Sequence, residues 1–303
     1  MIARAPGKIV LSGAYAVLEG APSIVAAVDR YVVADASRPA ALVTDEVRAA
    51  IDARVIDRAP WFDASALRTP LPDGTSRKLG VGSSAAILVA SIAAIAGEKL
   101  LHEMPGSLAA AVFPAAYAAH RSAQPGGSGI DVAASAFGGV ITASIRGGEL
   151  AIAPHPLPAG TIVEVFASPV SASTGDLIRK VRAFAAADPA RYRRLLDAAA
   201  RGAEAAIAST TPGELVAAIG AQLDALGELG DASGAGIVTP EAAALRPEAA
   251  AEGAIFGPSG AGGGDIAVYL GPAPSSPRVR ALARVHGYDL LDLRVGAPGV
   301  AWT

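Results

Sequence analysis

The stretch from Ser83 to Leu101 is almost uniformly small and apolar, and it restricts the possible folds more than any other segment. A helix that is apolar around its whole circumference must be covered on every side, so the chain has to build a multilayered core around it. The material is available: 52% of the 303 residues are hydrophobic, far from the profile of a disordered chain. A chain of this length favours two packed domains. The most apolar part, Ala85 to Ala96, falls well short of the roughly 20 residues that span a bilayer, so no membrane segment is expected. The opening MIARAPGKIVLSG carries Pro6, Gly7 and Lys8 where a signal peptide would need an unbroken apolar run, and it reads as mature sequence. A cytoplasmic protein, monomeric or homodimeric, is expected.

Other segments supply the covering layers. Between Ile9 and Ala36 the β-branched runs IVL, SIVAAV and RYVVADA, punctuated by Gly13, Gly20 and Pro22, predict strands joined by tight connections. Thr44 to Val55 has a Thr cap, early acids and helical spacing, and the Pro-containing stretch from Asp57 to Arg77 reads as loop with a short edge strand. Helices are expected over Ser107 to Ala119 and from Asp131, followed by the strand VITASI and a hairpin-like turn at Gly147 and Gly148. After Pro154, Pro156 and Pro158 the texture changes to a strand, TIVEVFAS, and Ala-rich helices near 174–187, 189–208 and 212–229. A helix or loop from Pro240 to Ala251, the strand IAVYL, a helix around Arg278 to His286 and a strand YDLLDLRV complete the pattern. The proline cluster marks the domain boundary, which divides the chain into 1–157 and 158–303. No repeat period points to a solenoid or propeller.

Charge and composition exclude several functions. With a formal net charge of −3 and no basic stripe interleaved with aromatics, nucleic acid is not an expected partner, although a few placed cations could still bind a small anion. Cysteine is absent, which removes disulfides, thiolate metal sites and Cys nucleophiles. His102, His120, His155 and His286 lack metal-ligand spacing, there is no GxSxG elbow, and no paired carboxylates suggest glycoside chemistry.

Three glycine-containing loops carry the chemistry that remains. In GVGSSAA, Gly80 to Ala86, two glycines and two serines precede a helix, so unpaired N–H groups and the positive end of the helix dipole converge on one spot suited to an anion. A plain Gly-Ser cap to a buried helix would look the same. The string also fits the GxGxxA form of the dinucleotide fingerprint, but TPLPDGTSRK upstream is too polar to be the buried parallel strand that fingerprint needs, and GK[ST] is missing for a P-loop. FGPSGAGGGDIAVYLG, Phe256 to Gly271, sets five glycines against a core strand; this allows close approach of main chain to a ligand, or simply a tight turn. In GGSGIDVAASAFGG, Asp131 stands at a helix start just beyond a Gly-Ser loop, where an Asp taken by itself is more often an N-cap than a catalyst. Lysine occurs only at positions 8, 78, 99 and 180, and two of these sit in or beside Gly-containing loops. A compact ammonium suits one phosphoryl oxygen, while an ordinary surface cation remains the alternative.

Taken in order, APGKIVLSGAYAVLEG, KLGVGSSAA and PSGAGGGD resemble the three signature motifs of the galactokinase, homoserine kinase, mevalonate kinase and phosphomevalonate kinase (GHMP) superfamily. The resemblance spans almost the whole chain. It implies an α+β, two-domain GHMP kinase fold: an N-terminal domain like the second domain of ribosomal protein S5, a ferredoxin-like C-terminal domain, and an active site between them. Tyr15, the GSGIDVA segment from Gly127, the S-x-S-T stretch Ser171 to Thr174, SGAGGGD and LGDASGAGIVTPE are most similar to phosphomevalonate kinases. That branch implies ATP- and Mg²⁺-dependent phosphorylation of 5-phosphomevalonate to 5-diphosphomevalonate, on the mevalonate route to isoprenoids. By the same resemblance Lys8 and Asp131 are the catalytic pair. Lys78, Gly80, Val81, Gly82, Ser83, Ser84 and Ala85 would bind the nucleotide, with Ser84 reaching the metal. Tyr15, Ser128, Gly129, Ser171, Ser173, Thr174, Ser259, Gly260, Ala261, Gly262 and Gly263 would bind the acceptor, with Arg77 and Arg121 as further candidates. Two positions depart from the pattern: Ala14 replaces the usual Glu of the first motif, and His120 lies where mevalonate kinases have the Glu that helps hold magnesium, as is expected of phosphomevalonate kinases. The alternatives are a sibling kinase acting on mevalonate or another alcohol, and a non-catalytic ligand-binding relative.

Overall fold

The computed structural model describes residues 1–70 and 76–303, so the middle of the polar stretch TPLPDGTSRK lies outside the described residues. Strands β1 (Ile2–Ser12) and β2 (Ser23–Pro39) pair antiparallel along almost their whole length. SIVAAV and RYVVADA, expected as separate strands, are one strand of 17 residues. An irregularity between Pro6 and Gly7 shifts the register, so Asp29 and Arg30 are looped past without ending the ladder. Lys8 therefore projects from the interior of a strand, not from a loop as its glycine neighbour suggested.

The far edge of β2 takes two partners. Its first residues, Ser23 to Ala26, pair with β6 (Val140–Arg146), and its last, Val33 to Pro39, pair with β3 (Pro60–Asp63). α1 (Asp45–Asp52) precedes β3, and between β3 and β6 the chain forms the small antiparallel pair β4 (Arg68–Pro70) and β5 (Ser76–Lys78), α2 (Ser83–Glu103), α3 (Leu108–Ala123) and α4 (Ile130–Phe137). The strand just before the glycine loop is thus short and antiparallel, which the dinucleotide fingerprint does not allow. With β7 (Glu149–Pro154) on β6, the first sheet reads β12-β1-β2-β6-β7 with β3 beside β2, where β12 is Ala301–Trp302.

The second sheet is also antiparallel, in the order β11-β8-β10-β9, built from β8 (Ile162–Ala167), β9 (Ile255–Pro258), β10 (Ile266–Gly271) and β11 (Asp289–Leu290). Helices α7 (Pro212–Ser233), α8 (Pro240–Ala251) and α9 (Pro277–Val285) pack on it, and α5 (Thr174–Ala187) and α6 (Pro189–Ala208) pack on α7. The run YDLLDLRV is not one strand. Only Asp289 and Leu290 pair with β8, and by Val295 the chain bridges Val28 in the first sheet. A segment that changes partner sheet partway cannot hold one register. A boundary at 157 separates the two sheets except for the last stretch of the chain, where Val295 and Pro298 bridge Val28 and Gly138 and β12 pairs with Ala3 and Arg4 of β1.

The helix α2 reaches 21 residues, and by length and composition alone it could cross a membrane, contrary to the shorter run read from the sequence. Here it packs on β1, β2, α3 and α4, and 67% of its most apolar window is buried. One continuous hydrophobic cluster runs from Leu88 and Ile92 through Ile9 and Ile24 to Leu215, Ile266 and Val268, so the two sheets share a core.

Candidate active site

Helix termini locate the site. Among the described residues, seven of the nine α-helices are capped by a side-chain oxygen that accepts an N–H of the first turn: Thr44, Ser107, Ser173, Asp188, Thr211, Thr239 and Ser276. The two exceptions are α2 and α4, which begin at glycines in the left-handed region, Gly82 at φ 75° and Gly129 at φ 72°. None of the described residues preceding either helix caps it, and of the first-turn N–H groups only that of Val132 has a side-chain acceptor, Asp131. Both helices start at one cleft of about 460 Å³, whose wall includes Gly80, Gly82, Ser83 and Ser84 on one side and Ser128, Ile130 and Asp131 on another. Two uncapped helix starts on a shared cavity create an anion site from main chain alone.

Glycine is required at the mouth of α2. A Cβ at Gly82 would sit 2.9 Å from Cγ and 3.0 Å from Cε of Lys8, and one at Gly80 would run into the Asp265 side chain. The main chain of the loop therefore lies directly on those two side chains. The Lys8 N–H also donates to the Val81 carbonyl at 2.8 Å, tying strand to loop.

Lys8, Asp131 and Asp265 form the charged floor of the cleft. Burial pulls the Lys8 ammonium below its ordinary pKa of 10.5, and the Asp131 and Asp265 carboxylates pull it partly back. A lysine so placed favours any ligand that brings further negative charge. Asp131 sits in the first turn of α4, accepts the Val132 N–H at 3.0 Å through Oδ1, and faces Nε2 of the buried His120 at 3.9 Å. Asp265, at φ 58°, closes the third glycine motif; its Oδ1 accepts the Ser171 hydroxyl at 2.9 Å and the Ala172 N–H at 3.4 Å, so it anchors the S-x-S-T stretch.

The sequence-derived residues divide into two groups. Lys8, Tyr15, Lys78, Gly80, Gly82, Ser83, Ser84, Ser128, Asp131, Thr174, Gly260 and Ala261 line the cleft together. The others do not line it. Val81 and Ala85 are core residues, and Gly129 is packed under Tyr117. Ser171 is bound to Asp265, and Ser173 caps α5 by accepting the Asp176 N–H. The Ser259 hydroxyl accepts the Val10 N–H at 2.9 Å and donates to the Val10 carbonyl at 3.1 Å. Gly262 is pressed on the Ile237 carbonyl, and the Gly263 N–H donates to that same oxygen. Arg77 is committed too, donating to the Ser168 and Pro169 carbonyls at 2.7 Å each. The hydroxyl of Tyr15, pushed up in pKa by burial, donates to the Ala261 carbonyl at 2.7 Å and so joins the first motif to the third.

Sequence reasoning missed Asp265, Gln124 and Ile130 as wall residues. Asp265 was visible as the last letter of SGAGGGD, but its role depends on which loop packs against it. Ala14 lies in the wall, where the missing carboxylate leaves apolar surface.

Comparison with known proteins adds the following. No family model matches the chain. The phosphomevalonate kinase of Streptomyces sp. strain CL190 is 30% identical, over 91% of this chain and 91% of its own length. Among solved structures, a Lin0012 protein from Listeria innocua superposes with a TM-score of 0.81 at 22% identity, covering 100% of this chain and 99% of its own. Streptococcus pneumoniae phosphomevalonate kinase in complex with phosphomevalonate and AMPPNP gives 0.74 at 16% identity, covering 97% and 100%. L. major mevalonate kinase in complex with R-mevalonate gives 0.69 at 18% identity, covering 97% and 95%. At these identities the solved structures establish a shared fold.

Proposed function

The chain belongs to the phosphomevalonate kinases of the GHMP superfamily, and from that membership we propose that it transfers the terminal phosphoryl group of ATP to 5-phosphomevalonate, releasing ADP and 5-diphosphomevalonate. The observation that carries the reading is the convergence of Lys8, Asp131 and the uncapped start of α2 on one cleft. Phosphoryl transfer has a loose transition state with charge spread over the moving group, so positioning and electrostatics supply most of the catalysis. The α2 N–H groups and Ser83 would receive the nucleotide's phosphates. Lys8 would hold the moving phosphoryl group, its desolvated ammonium gaining from every negative charge brought near it.

A divalent metal fits this wall in a particular way. Among the described residues no three His, Cys, Asp or Glu side chains cluster as a metal cage. Mg²⁺ keeps several waters and commonly relies on substrate phosphates with one or two protein groups, and the Ser84 hydroxyl would be one such group. When bound, the ion would neutralise charge on the phosphates.

The acceptor oxygen belongs to a phosphate whose second pKa is about 6, so at neutral pH it is largely ionised and needs no strong base. Asp131 then orients Lys8 and the acceptor, with His120 behind it. A coupled ADP-release assay over phosphomevalonate, mevalonate, a sugar and homoserine tests the reading. Turnover with phosphomevalonate is expected. Turnover only with an alcohol would replace it by a sibling kinase, and nucleotide binding without turnover of any acceptor by a non-catalytic relative.

A further inference from the structure

A second cavity, of about 280 Å³, opens beside the cleft and shares Tyr15, Leu18, Gly127 and Ile178 with it. Most of its wall lies outside the three signature motifs. Its wall carries two guanidinium groups, Arg121 from α3 and Arg182 from α5. Arg121 donates one N–H to the Gly148 carbonyl at 3.0 Å and lies 5.7 Å from the centre of the Tyr117 ring, which holds the fork in place while leaving its other donors open. Arg182 rests on the loop before α4: a Cβ at Gly126, φ 85°, would come within 2.6 Å of its Nη2. Among the described residues neither arginine has an ion-pair partner. Among the described residues the one carboxylate in the wall, Glu19, is occupied by the Tyr192 hydroxyl at 3.3 Å and has Arg193 at 4.0 Å.

We propose that Arg121 and Arg182 form the acceptor's second anion subsite, gripping the carboxylate of a phosphorylated hydroxy acid while its phosphate lies at Lys8. This rests on the acceptor assignment made above. Such an acceptor is negative at both ends, and one wall cannot serve both. The glycine loops, Lys8 and Lys78 form the phosphate end, and Asp131 and Asp265 stand beside it. Among the described residues, the contiguous space past Tyr15 and Gly127 is lined by no first-turn residue of α2 or α4, and its cations are arginines. A planar fork matches a carboxylate with two parallel N–H bonds, which a lysine cannot reproduce. The subsite would also discriminate: an acceptor lacking the carboxylate leaves the forks without a partner.

The test pairs Arg182→Gln and Arg121→Gln with two acceptors, phosphomevalonate and its analogue with the carboxylate converted to a primary amide. The wild type should lose about tenfold or more in kcat/KM on going from acid to amide, the scale of a charged hydrogen bond. Arg182→Gln should show a comparable rise in KM for the acid, little further loss with the amide, and an unchanged KM for ATP. Arg182→Lys should not restore the acid's KM. Wild-type turnover of phosphomevalonate with acceptor KM unmoved in both glutamine variants would overturn the subsite alone. A wild type that turns over no phosphomevalonate would overturn the acceptor assignment and the subsite with it. Circular dichroism and the ATP KM of each variant separate a local effect from misfolding.

Discussion

Gly82 offers a way to move Lys8 without deleting it. In Gly82→Ala the new Cβ would stand 2.9 Å from Lys8 Cγ, whereas ordinary contact begins near 3.4 Å. The lysine must therefore withdraw by about 0.5 Å, the difference of those two distances. The backbone is also left-handed there, at φ 75°, which costs an L-residue about 1–2 kcal/mol. Gly160 provides the control: its φ is 82°, and a Cβ there would meet nothing within 4 Å. Both alanine variants should lose about the same stability, read as a fall in Tm of about 2–8 °C for a chain of this size. Their activities should differ. A 1 Å misplacement at a reacting centre can cost about 100-fold, so Gly82→Ala is expected to lose about tenfold in kcat while Gly160→Ala keeps the wild-type value. Thermal unfolding and coupled ADP release measure the two quantities. If Gly82→Ala matched Gly160→Ala in both, the contact between loop and lysine would have no bearing on catalysis.

Three further outcomes follow from the same geometry. Lys8→Met should abolish turnover yet raise stability near neutral pH, because burial holds the ammonium below its unfolded pKa of 10.5. A depressed lysine destabilises the fold while charged in both states; the penalty fades as pH rises through the folded value toward 10.5, so the variant's advantage in chemical denaturation should shrink over that window. Asp131→Asn should cost less than about 100-fold in kcat with a phosphate acceptor, the lower end of what removing a general base costs, and a loss of several orders in folded protein would contradict an orienting role. Gln222→Leu should destabilise by about 1–3 kcal/mol in urea titrations, because the buried amide accepts the Gly13 N–H at 3.1 Å and donates to the Ala199 carbonyl at 3.2 Å, and leucine would leave the Gly13 N–H unpaired.

Local chemistry made a large part of this protein readable in its sequence. The uniformly apolar α2 had to be a core helix, and the glycines at 80, 82 and 129 marked helix starts at which left-handed backbone replaces a side-chain cap. Lys8, Ser84 and Asp131 could be singled out by residue type and motif. These properties depend on residues within a few positions of one another. What they could not supply was the pairing of distant segments. That Lys8 stands in a strand, that SIVAAV and RYVVADA are a single ladder, and that YDLLDLRV leaves one sheet for the other are consequences of which edges meet. The same holds in the site. Ser259 and Ser173 looked like ligand hydroxyls until their backbone partners appeared, and Asp265 became a wall residue only because Gly80 packs on it. A hydroxyl or carboxylate has the same chemistry wherever it stands in the chain, and whether it is free to meet a ligand depends on the donors and acceptors that tertiary packing brings beside it.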